Sequence, residues 1–241
     1  MTPLVCLHGW GMRGAIFADL ALTGRTVLMP DLPGYGDAPL PTRYSAEAIA
    51  RQLAANAPAR LALLGWSMGS LVAQAWAKLF PAQVERLILV AATPCFRQRA
   101  DWPHGLSDAD IAAFAEGVTL DSRATLARFL SLQARGSDDA RAVIARLRTA
   151  LAALGEPSAT TLTAGMALLA DTDLRGDASA IRAPTLMLHG DRDGLCPPAA
   201  AAWLAGQIPE ARQVVLAHAA HAPFLSHPAV FNRIVREFLD E

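Results

Sequence analysis

Cysteine and long apolar runs are both scarce in this sequence of 241 residues, and each absence excludes a class of protein. The three cysteines, Cys6, Cys95 and Cys196, are odd in number and far apart, without metal-site spacing, so we predict free thiols with no disulfide or metal role. No apolar run approaches the ~20 residues that cross a bilayer. The N-terminus has no charged segment followed by a hydrophobic one, so we expect a cytoplasmic protein rather than a secreted or membrane-inserted one.

An excess of charge of one sign is also absent. The formal net charge is −1, whereas general nucleic-acid binding needs a clustered excess of Lys and Arg, so nucleic acid is not an expected partner. Hydrophobic residues, by contrast, make up 53% of the chain. This length and composition suit one large domain, or a core domain that carries one insertion, and we expect a monomer.

Six short apolar runs bounded by Gly, Pro, Asp or His predict buried strands. They cover residues 5–7, 27–29, 61–64, 87–90, 186–188 and 214–216. Because several are separated by segments of helical periodicity, we predict a mostly parallel sheet with helices on both faces, which is an α/β fold. The first strand begins so early that little room remains for an antiparallel hairpin, and a trimmed sheet edge is expected.

Between residues 96 and 181 the strand-like runs disappear and helical signals remain. Ser107 and Asp110 resemble a capping box, and Asp121 is placed to cap a second helix. A third helix is indicated by an apolar face made of Val143, Ile144, Leu147, Ala150, Leu151 and Leu154. We therefore predict a helical lid over residues 96–181, inserted into a core domain of residues 1–95 and 182–241.

The pentapeptide Gly-Trp-Ser-Met-Gly over residues 65–69 follows one predicted strand and precedes a segment of helical periodicity. A strand, a sharp turn and a helix are the context of a nucleophile elbow, which holds its serine in a strained backbone conformation. Gly65 and Gly69 avoid the collisions that larger side chains would make there. The helical stripe ends at Pro81. We predict that Ser67 is a nucleophile, provided that a base and a carboxylate follow it.

The predicted base is His221. It lies in the sequence Ala-Ala-His-Ala-Pro-Phe, shortly after the last predicted strand, where a loop brings it over the carboxyl ends of the strands. His218 and His227 are nearby alternatives. His218 lies closer to the strand end, however, and His227 precedes Pro228 at a predicted helix start.

The carboxylate is predicted in the loop after the preceding strand, which contains two aspartates. Asp193 lies in a turn that directs its side chain towards His221, where it would hold the imidazole in the correct tautomer. Asp191 is expected to cap the turn or to pair with Arg192 in solvent. The resulting chain order, Ser67 then Asp193 then His221, is one of the known orders of a serine hydrolase triad.

An oxyanion at the attacked carbonyl needs hydrogen-bond donors that are already in place. The predicted donors are the main-chain N–H groups of Met68, directly after the nucleophile, and of Trp10, in the loop after the first strand. His8 precedes that loop and is expected to be structural rather than a base. Residues 31–36 lack the glycine spacing and the lysine of a phosphate-binding loop, so we expect a structural loop at the strand ends.

With their surroundings, these motifs resemble the α/β-hydrolase family, and within it most closely the carboxylesterases of biotin synthesis. The stretches that carry the resemblance span the chain: residues 7–11, 31–34, 64–69, 94–96, 128–133, 174–175, 193–195 and 219–224. The elbow and the histidine motif are shared by many hydrolases, whereas residues 94–96 and 128–133 are more specific. Met68 stands where a leucine is common, but only its backbone is needed.

The resemblance implies a serine esterase with the triad Ser67, Asp193 and His221 and with no need for a cofactor or metal. It also implies that Trp10 and Met68 contact the carbonyl oxygen and that a lid segment lines the acyl channel, namely Phe129, Leu130, Ser131, Leu132 and Gln133. The implied substrate is the methyl ester of an acyl chain on acyl carrier protein. A general short-chain carboxylesterase, a lactonase or another hydrolase of this fold remains an alternative, as does a non-catalytic ligand-binding protein.

Charge on the predicted lid indicates a partner independently. Between Ser122 and Arg148 the local net charge is +4, because two acidic residues face six arginines: Arg123, Arg128, Arg135, Arg141, Arg146 and Arg148. Arg128 and Arg135, like Arg141 and Arg148, are seven residues apart and are expected on similar helix faces. Since acyl carrier proteins are acidic, we predict that this patch docks the carrier, with a solvated helical face as the alternative.

Overall fold

A parallel sheet of six strands forms the centre of the molecule. The computed structural model describes all 241 residues. The strands are β1 Leu4–Leu7, β2 Val27–Leu28, β3 Leu61–Trp66, β4 Val84–Val90, β5 Thr185–Gly190 and β6 Ala211–Leu216. Their order is β2-β1-β3-β4-β5-β6 and every pairing is parallel, so the predicted α/β architecture is confirmed. The short strand β2 forms one edge of the sheet.

The inner strands are buried almost along their entire length, as parallel strands covered on both faces must be. This burial explains why they stand out as continuous apolar runs. Five of the six predicted runs are shorter than the observed strands, whereas the run of residues 27–29 is one residue longer than β2, and β4 shows a reason for the short runs. Glu85 and Arg86 are partly exposed near its start, so they interrupt the apolar pattern, and the pairing with β3 is irregular at Glu85, which has no partner in the register.

Eight α-helices surround or cover the sheet. They are α1 Ala46–Ala54, α2 Met68–Leu79, α3 Asp108–Gln133, α4 Ala140–Leu154, α5 Ala159–Asp171, α6 Pro198–Gln207, α7 Pro223–Ser226 and α8 Pro228–Asp240. Between β4 and β5 the chain forms α3, α4 and α5 and no strand of the sheet. No helix is both long enough and apolar enough to cross a membrane. The exact division of core and lid at residues 96 and 181 stays a prediction.

Helix α3 contains the two caps that its sequence indicates. The Ser107 hydroxyl accepts a hydrogen bond from the Asp110 N–H at 3.1 Å and so caps the first turn. At Asp121 the backbone leaves the helical region, with φ −153° and ψ 90°, and its carboxylate accepts from the Ala124 N–H at 2.9 Å. Residues 108–133 therefore contain two helical halves joined at a kink.

The three predicted triad residues each follow the carboxyl end of a strand. Ser67 comes directly after β3, Asp193 shortly after β5, and His221 shortly after β6. Because the strands are parallel, these ends meet at one edge of the sheet, which is where ligands bind in open α/β folds. The lid helices α3 to α5 reach the same edge through contacts with the catalytic loops, described next.

Candidate active site

Ser67 occupies a strained turn between β3 and α2. Its backbone has φ 55° and ψ −120°, a conformation that costs a non-glycine residue roughly 1–3 kcal/mol. The two neighbouring glycines are required by close approaches. A Cβ on Gly65 would lie 2.4 Å from the carbonyl oxygen of Gly69, and a Cβ on Gly69 would lie 2.3 Å from the carbonyl oxygen of Leu7. The elbow is thus fixed by packing as well as by the chain turn.

The structure brings the three predicted triad side chains into one hydrogen-bonded chain. The His221 Nε2 lies 2.8 Å from the Ser67 Oγ, and its Nδ1 lies 2.8 Å and 3.0 Å from the two carboxylate oxygens of Asp193. Ser67, Asp193 and His221 are 7%, 4% and 1% exposed, so water has little access to these bonds. Neither alternative base takes part in these hydrogen bonds: His218 is exposed, and His227 lies directly before α8.

The carboxylate of Asp193 is held by more than the imidazole. Its Oδ1 accepts hydrogen bonds from the main-chain N–H groups of Leu195 at 3.0 Å and Cys196 at 2.9 Å. Burial alone would raise the pKa of Asp193. The charge and hydrogen bond of His221, the nearby His189 and the Cys196 N–H outweigh that effect and hold the pKa below its usual range. Asp193 is therefore ionised at neutral pH.

The backbone of His221 is fixed between the lid and the elbow strand. Its N–H donates to the carbonyl oxygen of Gln133, the last residue of α3, at 3.0 Å. Its own carbonyl oxygen accepts from the indole Nε1 of Trp66, the last residue of β3, at 2.8 Å. The predicted base is consequently aligned by one residue from each half of the molecule.

The loop after β1 packs directly against the nucleophile. A Cβ on Gly9 would lie 3.2 Å from the Ser67 Cβ. The buried Trp10 donates from its indole Nε1 to the Leu162 carbonyl oxygen at 2.9 Å, which ties the loop to α5. The main-chain N–H groups of Trp10 and Met68 donate no hydrogen bond to another main-chain group of the surrounding loops. Both remain free for the predicted oxyanion.

His8 and the loop of residues 31–36 contact the loop that contains Trp10 and stabilise it. The His8 Nε2 accepts from the Leu32 N–H at 2.9 Å, so its Nδ1 carries the proton and donates to the Gly9 carbonyl oxygen at 2.9 Å. Burial lowers the pKa of His8 to about 4, so its ring is neutral. The Tyr35 hydroxyl accepts from the Gly11 N–H at 3.2 Å. These contacts match the structural roles expected from the sequence.

The predicted acyl-binding segment divides into several environments. Phe129 is buried and packs edge to face on Trp10, with ring centroids 4.8 Å apart. Leu130 forms part of a surface groove of about 530 Å³ between α3 and α4. The Ser131 hydroxyl donates to its own helix at 3.1 Å, and Leu132 is half-buried. Gln133 is buried and its amide oxygen has no hydrogen-bond partner.

Five of the six lid arginines are exposed, and Arg146 is the exception. Arg146 is half-buried, donates to the Leu225 carbonyl oxygen at 2.9 Å and forms an ion pair with Asp19. These contacts join the lid to the core, and the role of Arg146 in docking stays a prediction. Arg135 lies beyond the end of α3, so the helix face that it was expected to share with Arg128 does not exist.

Arg141 and Arg148 lie seven residues apart on the single helix α4, and both are exposed. Arg123 forms an ion pair with Glu156 at 3.1 Å. Arg128 lies over the Phe114 ring, with its guanidinium carbon 5.9 Å from the ring centroid. These arginines retain accessible charge, because an exposed ion pair and a cation–π contact leave most of a guanidinium open to solvent.

Two further side chains lie near the triad, one without a predicted role and one with a partner other than the expected one. His189, on β5, has its Nε2 2.9 Å from the Cys196 carbonyl oxygen. Arg192 donates to the carbonyl oxygen of Gly136 at 2.7 Å and to the Asp138 carboxylate at 2.6 Å. Of the two roles expected for Asp191, a turn cap or a partner of Arg192, the second is wrong, because Arg192 pairs with Asp138. A polar residue at the carboxyl end of a strand was the available signal for His189.

Candidate metal ligands show no clustering: no three His, Cys, Asp or Glu side chains are placed to hold one ion. The cysteines are buried, free thiols, as predicted. A strained serine elbow, a buried Asp-His-Ser chain and two free main-chain donors on a parallel sheet define a class of protein. A family model for the alpha/beta hydrolase fold matches residues 2–228, and the chain belongs to that family.

Curated relatives narrow this class. The pimeloyl-[acyl-carrier protein] methyl ester esterase of Aeromonas hydrophila is 42% identical over 98% of this chain and 94% of its own length. The enzyme of the same name from Nitrosomonas europaea is 39% identical over 95% of this chain and 92% of its own length. Within the fold, the chain therefore falls in the family of these esterases, which confirms the family resemblance of its motifs.

Solved structures agree on the fold. An esterase from Exiguobacterium antarcticum superimposes with a TM-score of 0.90 at 25% identity, covering 100% of this chain and 92% of that one. An enol-lactonase from Burkholderia xenovorans superimposes with a TM-score of 0.84 at 24% identity, with the same coverage. One fold thus carries different substrates, and the substrate has to be argued from the site and the close relatives.

Proposed function

We propose that this protein is a serine esterase that hydrolyses the methyl ester of pimeloyl-acyl carrier protein in biotin synthesis. Its products are methanol and an acyl chain with a free terminal carboxyl group. The observation that carries the proposal is the unbroken, buried hydrogen-bonded chain from Asp193 through His221 to Ser67. The name of the relatives at about 40% identity supplies the substrate class.

In the first half-reaction the Ser67 Oγ attacks the ester carbonyl carbon while its proton passes to the His221 Nε2, 2.8 Å away. The carbonyl oxygen becomes an oxyanion and accepts hydrogen bonds from the N–H groups of Trp10 and Met68. Collapse of this intermediate breaks the bond to the methoxy oxygen. The imidazolium returns its proton to that oxygen, so methanol leaves and the acyl group remains on Ser67.

In the second half-reaction a water molecule takes the place of methanol. His221 removes a proton from the water, and the resulting oxygen nucleophile attacks the acyl-serine carbonyl. The second oxyanion meets the same two donors, and the bond to the Ser67 Oγ then breaks. The proton on His221 moves to Ser67, which restores the starting state and releases the carboxylic acid.

The ionised Asp193 supports both steps electrostatically. It accepts the hydrogen bond from the His221 Nδ1, which leaves the Nε2 lone pair directed at Ser67. When the imidazole takes the serine proton, the negative carboxylate stabilises the new positive charge in a site that is almost closed to water. The low pKa of Asp193 keeps that charge available across the neutral range.

The reaction is tested first by covalent labelling. A fluorophosphonate probe is expected to label the wild-type protein and not the Ser67→Ala variant, and the same variant is expected to release no methanol from pimeloyl-acyl carrier protein methyl ester. Circular dichroism and thermal unfolding verify that the variant is folded. A wild-type protein that stays unlabelled would contradict an esterase and favour a ligand-binding protein, whereas a folded Ser67→Ala variant that reacts would show that Ser67 is not the nucleophile.

We further propose that the exposed lid arginines dock the acidic carrier. Arg128, Arg141 and Arg148 present positive charge on the outer sides of α3 and α4. Between these helices, the groove of about 530 Å³ is lined by apolar residues that include Leu130 and Leu151, together with Arg123, Arg148 and Glu156. Positive charge around an apolar groove suits an acidic protein that delivers a chain through a flexible arm.

Charge reversal tests the docking. The double variant Arg128→Glu and Arg141→Glu is expected to raise KM for a carrier-bound methyl ester about tenfold, since weaker electrostatic attraction of ~1.4 kcal/mol has that effect. Turnover of a small free methyl ester should not change. The double variant Arg51→Glu and Arg182→Glu, with two exposed arginines outside the lid, serves as a matched control. Equal effects on both substrates would refute docking and favour a general esterase.

A further inference from the structure

His189 is a second buried histidine beside the proposed triad, and neither half-reaction uses it. It is the last residue but one of β5 and has no exposed surface. Its Nε2 lies 2.9 Å from the Cys196 carbonyl oxygen and 3.7 Å from the Asp193 Oδ2. The ring therefore lies against the turn that presents the triad carboxylate.

The tautomer of His189 follows from its partner. A carbonyl oxygen only accepts hydrogen bonds, so the Nε2 carries the proton and donates to Cys196. The Nδ1 is then a lone-pair nitrogen, and it is buried with no hydrogen-bond partner. A buried polar atom without a partner is costly, and an apolar side chain of this size would avoid that cost. The N–H of His189 therefore has to contribute something that an apolar residue lacks.

The His189 N–H binds the turn of residues 193–196, which contains the triad carboxylate Asp193. The Cys196 N–H donates to the Asp193 Oδ1 at 2.9 Å, while the carbonyl oxygen of the same residue accepts from His189. Cys196 thus binds the Asp193 carboxylate through its N–H and is itself bound by His189 of β5 through its carbonyl oxygen. Removing the His189 donor would leave the Cys196 carbonyl oxygen buried without this partner and free the turn to rotate.

We propose that His189 is a positioning residue for the triad acid: through Cys196 it fixes the turn of residues 193–196 so that the Asp193 carboxylate meets the His221 Nδ1. The inference rests on the proposed triad. In this arrangement His189 orients the turn, the turn orients Asp193, and Asp193 orients His221.

The charges around His189 are consistent with a fixed, neutral donor. The titratable groups that act on its ring are Asp193 and His221, while Cys196 contacts it through the main-chain carbonyl oxygen. Burial lowers the pKa of His189 despite the nearby Asp193, and burial raises the pKa of the Cys196 thiol, so both groups are neutral at pH 7. The N–H edge of a neutral imidazole then faces the ionised carboxylate of Asp193.

Three variants separate positioning from ordinary stability. His189→Leu removes the donor at similar volume, whereas His189→Gln keeps an N–H at about the reach of the Nε2. Thr185→Val is the matched control, because Thr185 lies on the same strand and donates to the Ala183 carbonyl oxygen at 2.8 Å, far along β5 from the triad. All three substitutions are made in the full chain, and thermal unfolding verifies that each variant is folded.

We expect kcat of His189→Leu to fall about ten- to a hundredfold with KM nearly unchanged, because a small displacement of the acid misaligns the base without altering substrate binding. His189→Gln should recover most of this loss, and Thr185→Val should leave kcat at the wild-type value. If His189→Leu does not fold, His189→Met provides the same comparison with a more adaptable apolar side chain.

A spectroscopic measurement tests the geometry directly. The His221 Nδ1–H bonded to Asp193 should give a low-field proton resonance, which is expected in the wild type, His189→Gln and Thr185→Val, and is expected to shift or broaden in His189→Leu. A folded apolar variant with wild-type kcat and resonance, or loss of the resonance in His189→Gln, would overturn the inference. A wild-type protein without fluorophosphonate labelling would instead overturn the proposed function.

Discussion

The catalytic loops at the sheet edge and the outer face of the lid are built in opposite ways. Ser67, Asp193 and His221 are buried and are each held by main-chain contacts or close glycine approaches. The outer faces of α3 and α4 instead expose arginines that make few contacts with the rest of the chain. Fixed geometry suits bond-breaking, and accessible charge suits the capture of a partner, so the two regions divide the proposed reaction between them.

The division is not complete, because the lid also reaches into the chemistry. The carbonyl oxygens of Gln133 and Leu162, both in lid helices, accept hydrogen bonds from His221 and Trp10. The inner side of the lid therefore belongs to the catalytic geometry, while its outer side is left for recognition. Perturbing each region separately shows where the boundary falls.

The largest effect is expected within the sheet region. Asp193→Asn should lower kcat about 10⁴-fold, because the amide no longer holds His221 in the reactive tautomer or stabilises its positive charge. KM should change little. The control is Asp191→Asn, an exposed carboxylate in the same loop, which should retain wild-type turnover. Comparable losses in both variants would show that the loop, rather than the Asp193 charge, sets the rate.

The next effect comes from the inner side of the lid. Gly165→Ala in α5 would place a Cβ 2.6 Å from the Trp10 Cδ1, and the indole is already held by the Leu162 carbonyl oxygen. Displacing Trp10 moves its main-chain N–H away from the oxyanion, so we expect kcat to fall about a hundredfold. The control is Gly206→Ala in α6, where nothing lies within 4 Å of the added Cβ. Unchanged kcat in Gly165→Ala would separate the lid from the chemistry.

A smaller effect concerns the stability of the oxyanion loop. Burial lowers the pKa of His8 from 6.5 to about 4, so the folded state keeps this ring neutral while the unfolded chain binds a proton below about pH 6.5. The free energy of unfolding should therefore fall as pH decreases from about 6.5 towards 4, by about 3 kcal/mol in total from this group. The depressed pKa of His189 acts in the same direction.

Urea unfolding at several pH values between 7 and 4.5 measures this slope. His8→Asn should be less stable at neutral pH and should show a shallower slope, because the titrating ring is gone. Tyr35→Phe is the control, because it removes the hydroxyl that binds the Gly11 N–H in the same loop region while His8 is kept, and it should leave the slope unchanged. A wild-type stability that is flat over this range would contradict a neutral, buried His8.

Local patterns predicted the nucleophile region well. The elbow at Ser67 depends on residues within two positions of it and on the strand and helix that flank it, so its signal lies in one continuous segment. The triad partners Asp193 and His221 were predictable because each follows a buried strand, and parallel topology brings the strand ends together. The chain order then selects among the candidates.

Contacts between side chains and the main chain of distant segments left no pattern in the sequence. Arg146 and Arg192 bind main-chain carbonyl oxygens of distant segments, and any residue supplies such a carbonyl. Composition therefore grouped Arg146 with the exposed arginines of the lid. His189 was missed for the same reason, because its partner is the carbonyl oxygen of Cys196 rather than a recognisable side chain.

The hydrogen bond from the His221 N–H to the Gln133 carbonyl oxygen has a consequence for engineering. Exchanging whole caps between hydrolases is an attractive route to new substrate ranges, yet here a transplanted cap would also replace the acceptor that aligns the base. In a successful chimera, the first cap helix has to end with a carbonyl oxygen in the position that accepts the hydrogen bond from the His221 N–H. Cap residues up to Gln133 are best treated as part of the recipient scaffold, with diversity introduced on the solvent side.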